Sequence, residues 1–216
     1  MAIQKCLPFV LLVILPMLAT SQQADTVPYP EEKHFRNIQQ LTFGGDNAEA
    51  YFSYDGKWLV FQRTFVKDDV PCDQIFVGKI PAPGAPFTYK RISTGKGRTT
   101  CGFFTRDGKH IIYASTHLGG DSCPPLPDRS KYGNKYIWPL YNSYDIFMAD
   151  LDGKIVKQLT HSKGYDAEAT LSPDGKKMIY TKRSCFAATA TMGVPMIPTF
   201  LLPIGWNDAS LFRNQI

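Results

Sequence analysis

The side chains with most chemistry to offer are a set of cysteines and a scatter of charged residues. Beyond residue 21 the cysteines are Cys72, Cys101, Cys123 and Cys185. None are spaced as C-x-x-C, and no histidine stands at zinc-ligand distance from any of them. Disulfide formation is the chemistry expected of them, with buried free thiols as the other reading. Four cysteines allow three complete pairings, and spacing does not choose among them. Glu49, Asp166 and Glu168, with Arg98 nearby, could receive a cation or the basic groups of a partner. The plainer reading, which we favour, has Glu49 and Glu168 hydrogen-bonding loop amides to set strand entry. His117, Asp121 and His161 could ligate a metal in principle, but irregular spacing argues against it. No metal and no cofactor is expected. No G-x-S-x-G elbow, H-E-x-x-H pair, Walker loop or G-x-G-x-x-G turn occurs, so no catalytic residue is assigned.

The elements that must position these residues lie in a chain of 216 residues, enough for one domain or one domain plus an appendage. Hydrophobic residues make up 44% and charged residues 20%, which excludes a disordered chain or a coiled coil. The net charge of +5 falls by one when Lys5 is removed with the leader, and no basic run appears. Nucleic acid is therefore not an expected partner. Residues 1–21 read as a signal peptide: Lys5 gives a positive start, Leu7 to Leu18 an apolar stretch, and Ala19-Thr20-Ser21 a cleavage pattern. At about a dozen residues the apolar stretch is too short to span a bilayer comfortably, and no later run replaces it. The protein is thus expected to be periplasmic or secreted, where disulfides persist, with no membrane span in the mature chain. Residues 22–36 read as a linker.

An internal repeat organises the chain beyond the linker. Glu49-Ala-Tyr-Phe-Ser-Tyr-Asp-Gly-Lys-Trp-Leu-Val-Phe61 aligns without a gap on the segments beginning at Cys101 and at Glu168. Asp-Gly-Lys recurs at 55–57, 107–109 and 174–176. Each copy is a hairpin: Asp-Gly supplies a residue that accepts positive φ, and apolar strands flank it. Trp58-Leu-Val-Phe61, Ile111-Ile-Tyr113 and Met178-Ile-Tyr180 do not alternate with polar residues, so both faces should be buried. A hairpin buried on both faces sits between two neighbouring sheets, as in a β-propeller. Asp73–Lys79 and Tyr144–Asp150 read as third strands, and Thr88–Ser93 and Lys154–Thr160 as outer fourth strands. Asn37–Thr42 matches the end of the latter and reads as the outer strand of a preceding blade. The fold class is all-β: a propeller of four-stranded antiparallel blades over 37–183, with about three blades recognisable and the ring incomplete.

Gln-Leu-Thr160, then Asp166-Ala-Glu-Ala169 and Ser172-Pro-Asp-Gly-Lys176, resembles the TolB-like propeller repeat, a relative of the WD-type repeats. The resemblance covers about residues 36–183 and weakens at the first two copies, where Tyr54 and Arg106 replace proline. It implies a non-catalytic scaffold that docks envelope or extracellular proteins and peptides on a ring face. The alternative it implies is the N-terminal propeller of a larger prolyl-oligopeptidase-like hydrolase, or a propeller lyase.

Propeller topology gathers the long loops onto one face, including 42–48, 63–71, 94–100, 116–142 and 161–167. Cys72, Cys101 and Cys123 all fall there. A Cys101–Cys123 bond is the expected pairing, pinning the 116–142 insertion over the channel mouth, with Cys72 as the rival partner. That insertion is too long for a simple connector and reads as either a recognition loop or a surface cover. After Arg183 the expected third strand does not come. Pro195, Pro198 and Pro203 interrupt the apolar stretch, and only Asp208 and Arg213 are charged in 184–216. The tail reads as foreign to the repeat, from a shifted frame or a truncated gene, against a genuine capping or partner-docking tail. Open blade edges would also favour self-association.

Overall fold

The computed structural model describes residues 31, 33, 34, 38–133, 137–184 and 199–203. Two compact units divide the chain, Met1–Gln40 and Leu41–Ile216. The described residues of the first hold a turn and a bend but neither helix nor strand. The described residues of the second form β-strands with three short 3-10 turns. The proposed leader, most of the linker, Cys185 and most of the tail lie outside the described residues.

Each Asp-Gly-Lys copy closes its hairpin by the same local bonds. In the first, the Ser53 hydroxyl donates to Asp55 Oδ1 at 2.6 Å, which also accepts from the Lys57 amide at 3.1 Å. Ser53 Oγ then accepts from the Trp58 amide at 3.0 Å. Thr105 with Asp107 and Ser172 with Asp174 repeat the arrangement. The glycine must take positive φ in all three turns, at 69°, 66° and 69° for Gly56, Gly108 and Gly175. An Asp side chain that caps its own turn explains why this triplet, rather than a helix, follows each apolar run.

The hairpins grow into three sheets. The first blade pairs β1 (Asp46–Phe52), β2 (Trp58–Phe65), β3 (Val70–Lys79) and β4 (Tyr89–Arg91) in that order. The second pairs β5 (Thr99–Phe104), β6 (His110–Ser115), β7 (Asp145–Asp150) and β8 (Ile155–Gln158). The third pairs β9 (Gly164–Leu171), β10 (Lys177–Ser184) and β11 (Thr199–Pro203). Every neighbouring pair is antiparallel.

Strand pleating divides the second blade's apolar residues between two cores. Ile111, Tyr113, Phe147 and Ala149 pack with Val60, Ile75, Val77 and Ile92 of the first blade. Ile112, Ala114, Ile146 and Met148 pack on the opposite side with Leu171, Met178 and Tyr180 of the third. Adjacent residues thus enter different cores, which is why the middle strands lack polar alternation. Gly102 permits the close approach of the first two blades, since a Cβ there would meet Val60 Cγ2 at 2.8 Å and Ile75 Cγ2 at 3.0 Å.

Two strand expectations are corrected. Of the outer strand expected over Asn37–Thr42, residues 38–42 form no strand, and Asn37 lies outside the described residues. Beyond Arg183 a third strand does form: β11 pairs with β10 from Lys177↔Pro203 to Thr181↔Thr199. Pro203 sits at the strand end and Pro198 before its start, so neither removes a donor from the strand's middle. No helix among the described residues is long and apolar enough to cross a membrane.

Candidate functional site

The inner strands of the three blades share an unusual backbone feature. Glu49, Cys101 and Glu168 all adopt left-handed φ, at 52°, 52° and 57°. They occupy one position of the repeat, and each lies where its inner strand slips register against the next strand. These are β-bulges, which bend a strand and re-aim a side chain. A non-glycine residue in this region costs roughly 1–2 kcal/mol, so the blade packing must hold all three there.

The bulges bring their side chains to one pocket of about 510 Å³. Glu49 and Glu168 line it from the first and third blades, and Cys101 lies between them in sequence order of blades. Tyr51, Phe103 and Trp138 supply aromatic surface. Tyr51 Oη donates to Glu49 Oε2 at 2.8 Å, and Tyr165 Oη donates to Glu168 Oε1 at 2.9 Å. Trp138 Nε1 donates in turn to Tyr165 Oη at 3.2 Å, tying the insertion to the pocket wall. The carboxylates therefore accept from tyrosine hydroxyls rather than from loop amides.

These contacts set the local acid–base behaviour. The hydrogen bond to Glu49, aided by burial, pushes Tyr51 up to about 12. Burial pushes the Cys101 thiol up to about 12, with the charges of Glu49 and Glu168 adding to it. Cys101 is thus a protonated thiol at neutral pH, poorly suited to nucleophilic attack. The pocket offers two exposed carboxylates beside aromatic faces, which suits a cationic or hydrogen-bond-donating ligand.

Other residues singled out from the sequence lie elsewhere. Arg98 is largely buried and forms an ion pair with Asp73 at the start of the preceding blade's third strand. It does not line the pocket; its charge is used to join two blades. Asp166 is fully buried, accepting from Ser162 Oγ at 2.7 Å, and burial raises its pKa. His117 packs on the Phe147 ring at 4.4 Å with Nδ1 2.9 Å from Ser115 Oγ. Asp121 pairs with Lys96 Nζ at 2.8 Å on the surface. Among the described residues no group of three or more His, Cys, Asp or Glu could hold a metal.

The disulfide also differs from expectation. Cys123 bonds Cys72, 51 residues earlier, with their Cα atoms 6.0 Å apart, and Cys101 is free. The physical reason is the bulge: Cys101 is turned toward the pocket, its sulfur 3.9 Å from Glu49 Oε2. The insertion instead crosses to the neighbouring blade, pinned also by a Gly97 amide donating to Asp121 O at 2.9 Å. Sequence reading missed Tyr51, Phe103 and Trp138. Tyr51 and Phe103 stand two residues after the bulge in their repeats, a signal available in the alignment. Trp138 in an irregular loop carries no such signal.

This is a segment of β-propeller, three successive blades with a pocket where their inner strands converge. Among solved structures it is similar to a protein described as TolB from Agrobacterium tumefaciens. Identity is 20% over 64% of this chain and 40% of that one, with a TM-score of 0.45. TolB from Acinetobacter baumannii is similar at 25% identity over 66% of this chain and 28% of its own, with a TM-score of 0.46. The chain therefore spans less than half the length of either. No protein-family model and no curated protein matches it.

Proposed function

We propose that this protein is an exported, non-catalytic scaffold that binds a protein or peptide partner at the pocket of the three bulges. The observation that supports it most is the pairing of Glu49 and Glu168 with Tyr51, Phe103 and Trp138 around one open pocket. Aromatic faces give a peptide contact area at small entropic cost, and exposed carboxylates select a basic side chain. Export is supported by the leader-like residues 1–21 and by the Cys72–Cys123 bond, which suits an oxidising compartment. The expected partner is an extended segment of an envelope or extracellular protein carrying Lys or Arg.

The test is a titration of fluorescent peptides, alike except for Lys, Ser or Glu at the central position, followed by anisotropy. The lysine peptide should bind best, and Glu49→Gln with Glu168→Gln should weaken it about tenfold and flatten its salt dependence. Equal binding of all three peptides, or a double variant that binds as well as the parent, would end this reading.

A further inference from the structure

The two joints between blades differ at one pair of repeat positions. Gln62 matches Ala114, and Thr100 matches Ala167. At the second joint Ala114 and Ala167 lie in an apolar core. At the first joint the polar pair Gln62 and Thr100 stands there instead, 7% and 3% exposed. Burying an amide and a hydroxyl costs free energy that an alanine pair avoids, and the second joint packs without them. Blade docking by itself therefore does not call for Gln62.

Hydrogen bonds fix how this side chain lies. Gln62 Oε1 accepts from Thr100 Oγ1 at 3.2 Å and from the Cys101 amide at 3.4 Å. A backbone N–H can only donate, so the amide oxygen faces the second blade and Nε2 turns the other way. Among the described residues no group accepts from Nε2, and the pocket that Gln62 lines is the open space beside it. A nearly buried side chain thus brings two N–H donors, held by its own oxygen, to the wall that carries Glu49 and Glu168.

An N–H donor there takes an oxygen of the ligand. A carboxylate is the wrong oxygen, because Glu49 and Glu168 line the same pocket and repel it. A neutral carbonyl suits both the donor and the field. Resting on the basic-peptide reading above, we infer that Gln62 sets the specificity of the pocket: its Nε2 donates to a main-chain carbonyl flanking the ligand's Lys or Arg, while the carboxylates hold the cationic head. The pocket then requires a cation and a neutral carbonyl on one ligand. A polyamine offers only the first, and a free amino acid presents a carboxylate in place of the second. A basic residue inside a peptide chain offers both. Binding also gives the Gln62 donor the acceptor it lacks, so the loss of that carbonyl is felt in full.

The test titrates the purified full chain with the fluorescent lysine peptide and with two analogues, each having an alkene in place of one amide flanking the lysine. Spermidine, a cation without a carbonyl, serves as a competitor. One alkene analogue should bind the parent protein roughly fivefold to tenfold more weakly than the amide peptide. Gln62→Ala with Thr100→Ala copies the pair that the second joint already carries. This double variant should lose the same factor for the lysine peptide, bind the amide and alkene peptides alike, and leave competition by spermidine unchanged. Alkene analogues that both match the amide peptide on the parent overturn the inference, and that comparison needs no variant to fold. A variant that keeps the alkene penalty overturns it too. So does a variant whose affinity for spermidine falls with that for the peptide, since Gln62 would then only hold the pocket's shape. In each of these cases the basic-peptide reading stands. A parent that binds the lysine peptide no better than its serine counterpart overturns both.

Discussion

Glu49 and Cys101 occupy one repeat position in adjacent blades, and the Cys101 sulfur lies 3.9 Å from Glu49 Oε2. Both residues hold left-handed backbone to make this contact. Burial of the thiol beside a carboxylate raises its pKa from 9.0 to about 12. The thiolate at pH 8 should therefore be scarce, and alkylation of Cys101 by iodoacetamide about 100-fold slower than that of an unfolded control. Labelling at the control rate would contradict the geometry. The same shift bears on stability. A folded pKa above the unfolded one stabilises fully below about pH 9 and is lost as pH rises toward 12. Cys101→Ser should make the alkaline loss of stability shallower, leaving the share of buried tyrosines such as Tyr113 and Tyr180.

The Cys72–Cys123 bond crosses from the first blade to the insertion of the second. Closing 51 residues should contribute about 4 kcal/mol in the chain-entropy account. Non-reducing peptide mapping should recover Cys72 linked to Cys123, with Cys101 unlinked. Cys72→Ser should lower unfolding free energy by about 2–4 kcal/mol in urea titration. A Cys101–Cys123 peptide would reverse the assignment.

Arg98 and Asp73 are both largely buried, with side chains 11% and 14% exposed, and they bridge the first two blades. Removing one partner strands the other charge. Arg98→Ala should cost about 3 kcal/mol, and Arg98→Glu more, because two carboxylates would then meet. Equilibrium unfolding of the single variants and of Arg98→Ala with Asp73→Ala measures the coupling; additivity within about 0.5 kcal/mol would deny it.

Asp166 and Asp145 are carboxyls whose pKa burial raises, with Asp166 adding to the shift at Asp145. Thr160, Ser162 and Lys182 oppose the shift at Asp166 without cancelling it, and His161 opposes it at Asp145. A raised folded pKa stabilises fully below the ordinary value of 3.8 and is lost as pH rises through the folded pKa. Asp166→Asn should therefore gain stability relative to the parent as pH increases from 4 toward neutrality. A constant difference between the two melting curves across that range would refute the assignment.

The hairpins were legible because their causes are local. Asp55, Asp107 and Asp174 cap their own turns, and the apolar residues beside them are contiguous in sequence. Glu49 and Glu168 stand out in the sequence for the same reason, as matched positions in an aligned repeat. Arg98 was misplaced toward the pocket because its partner, Asp73, stands 25 residues away in another blade. The strand at Thr199–Pro203 was missed because three prolines nearby spoke against it, although none falls in its middle.

Sequence alone determined the first two blades: their turns, their strand order, and a middle strand apolar on both faces. Those follow from backbone preferences and from hydrophobic patterning over a few residues. Only the tertiary structure decided which cysteines meet, that three bulges aim into one pocket, and that Arg98 is buried in an ion pair. Each depends on how one blade is rotated against the next. That rotation is set by packing of side chains such as Val60 on Gly102 and Ile112 beside Met178, across separations that no local pattern encodes.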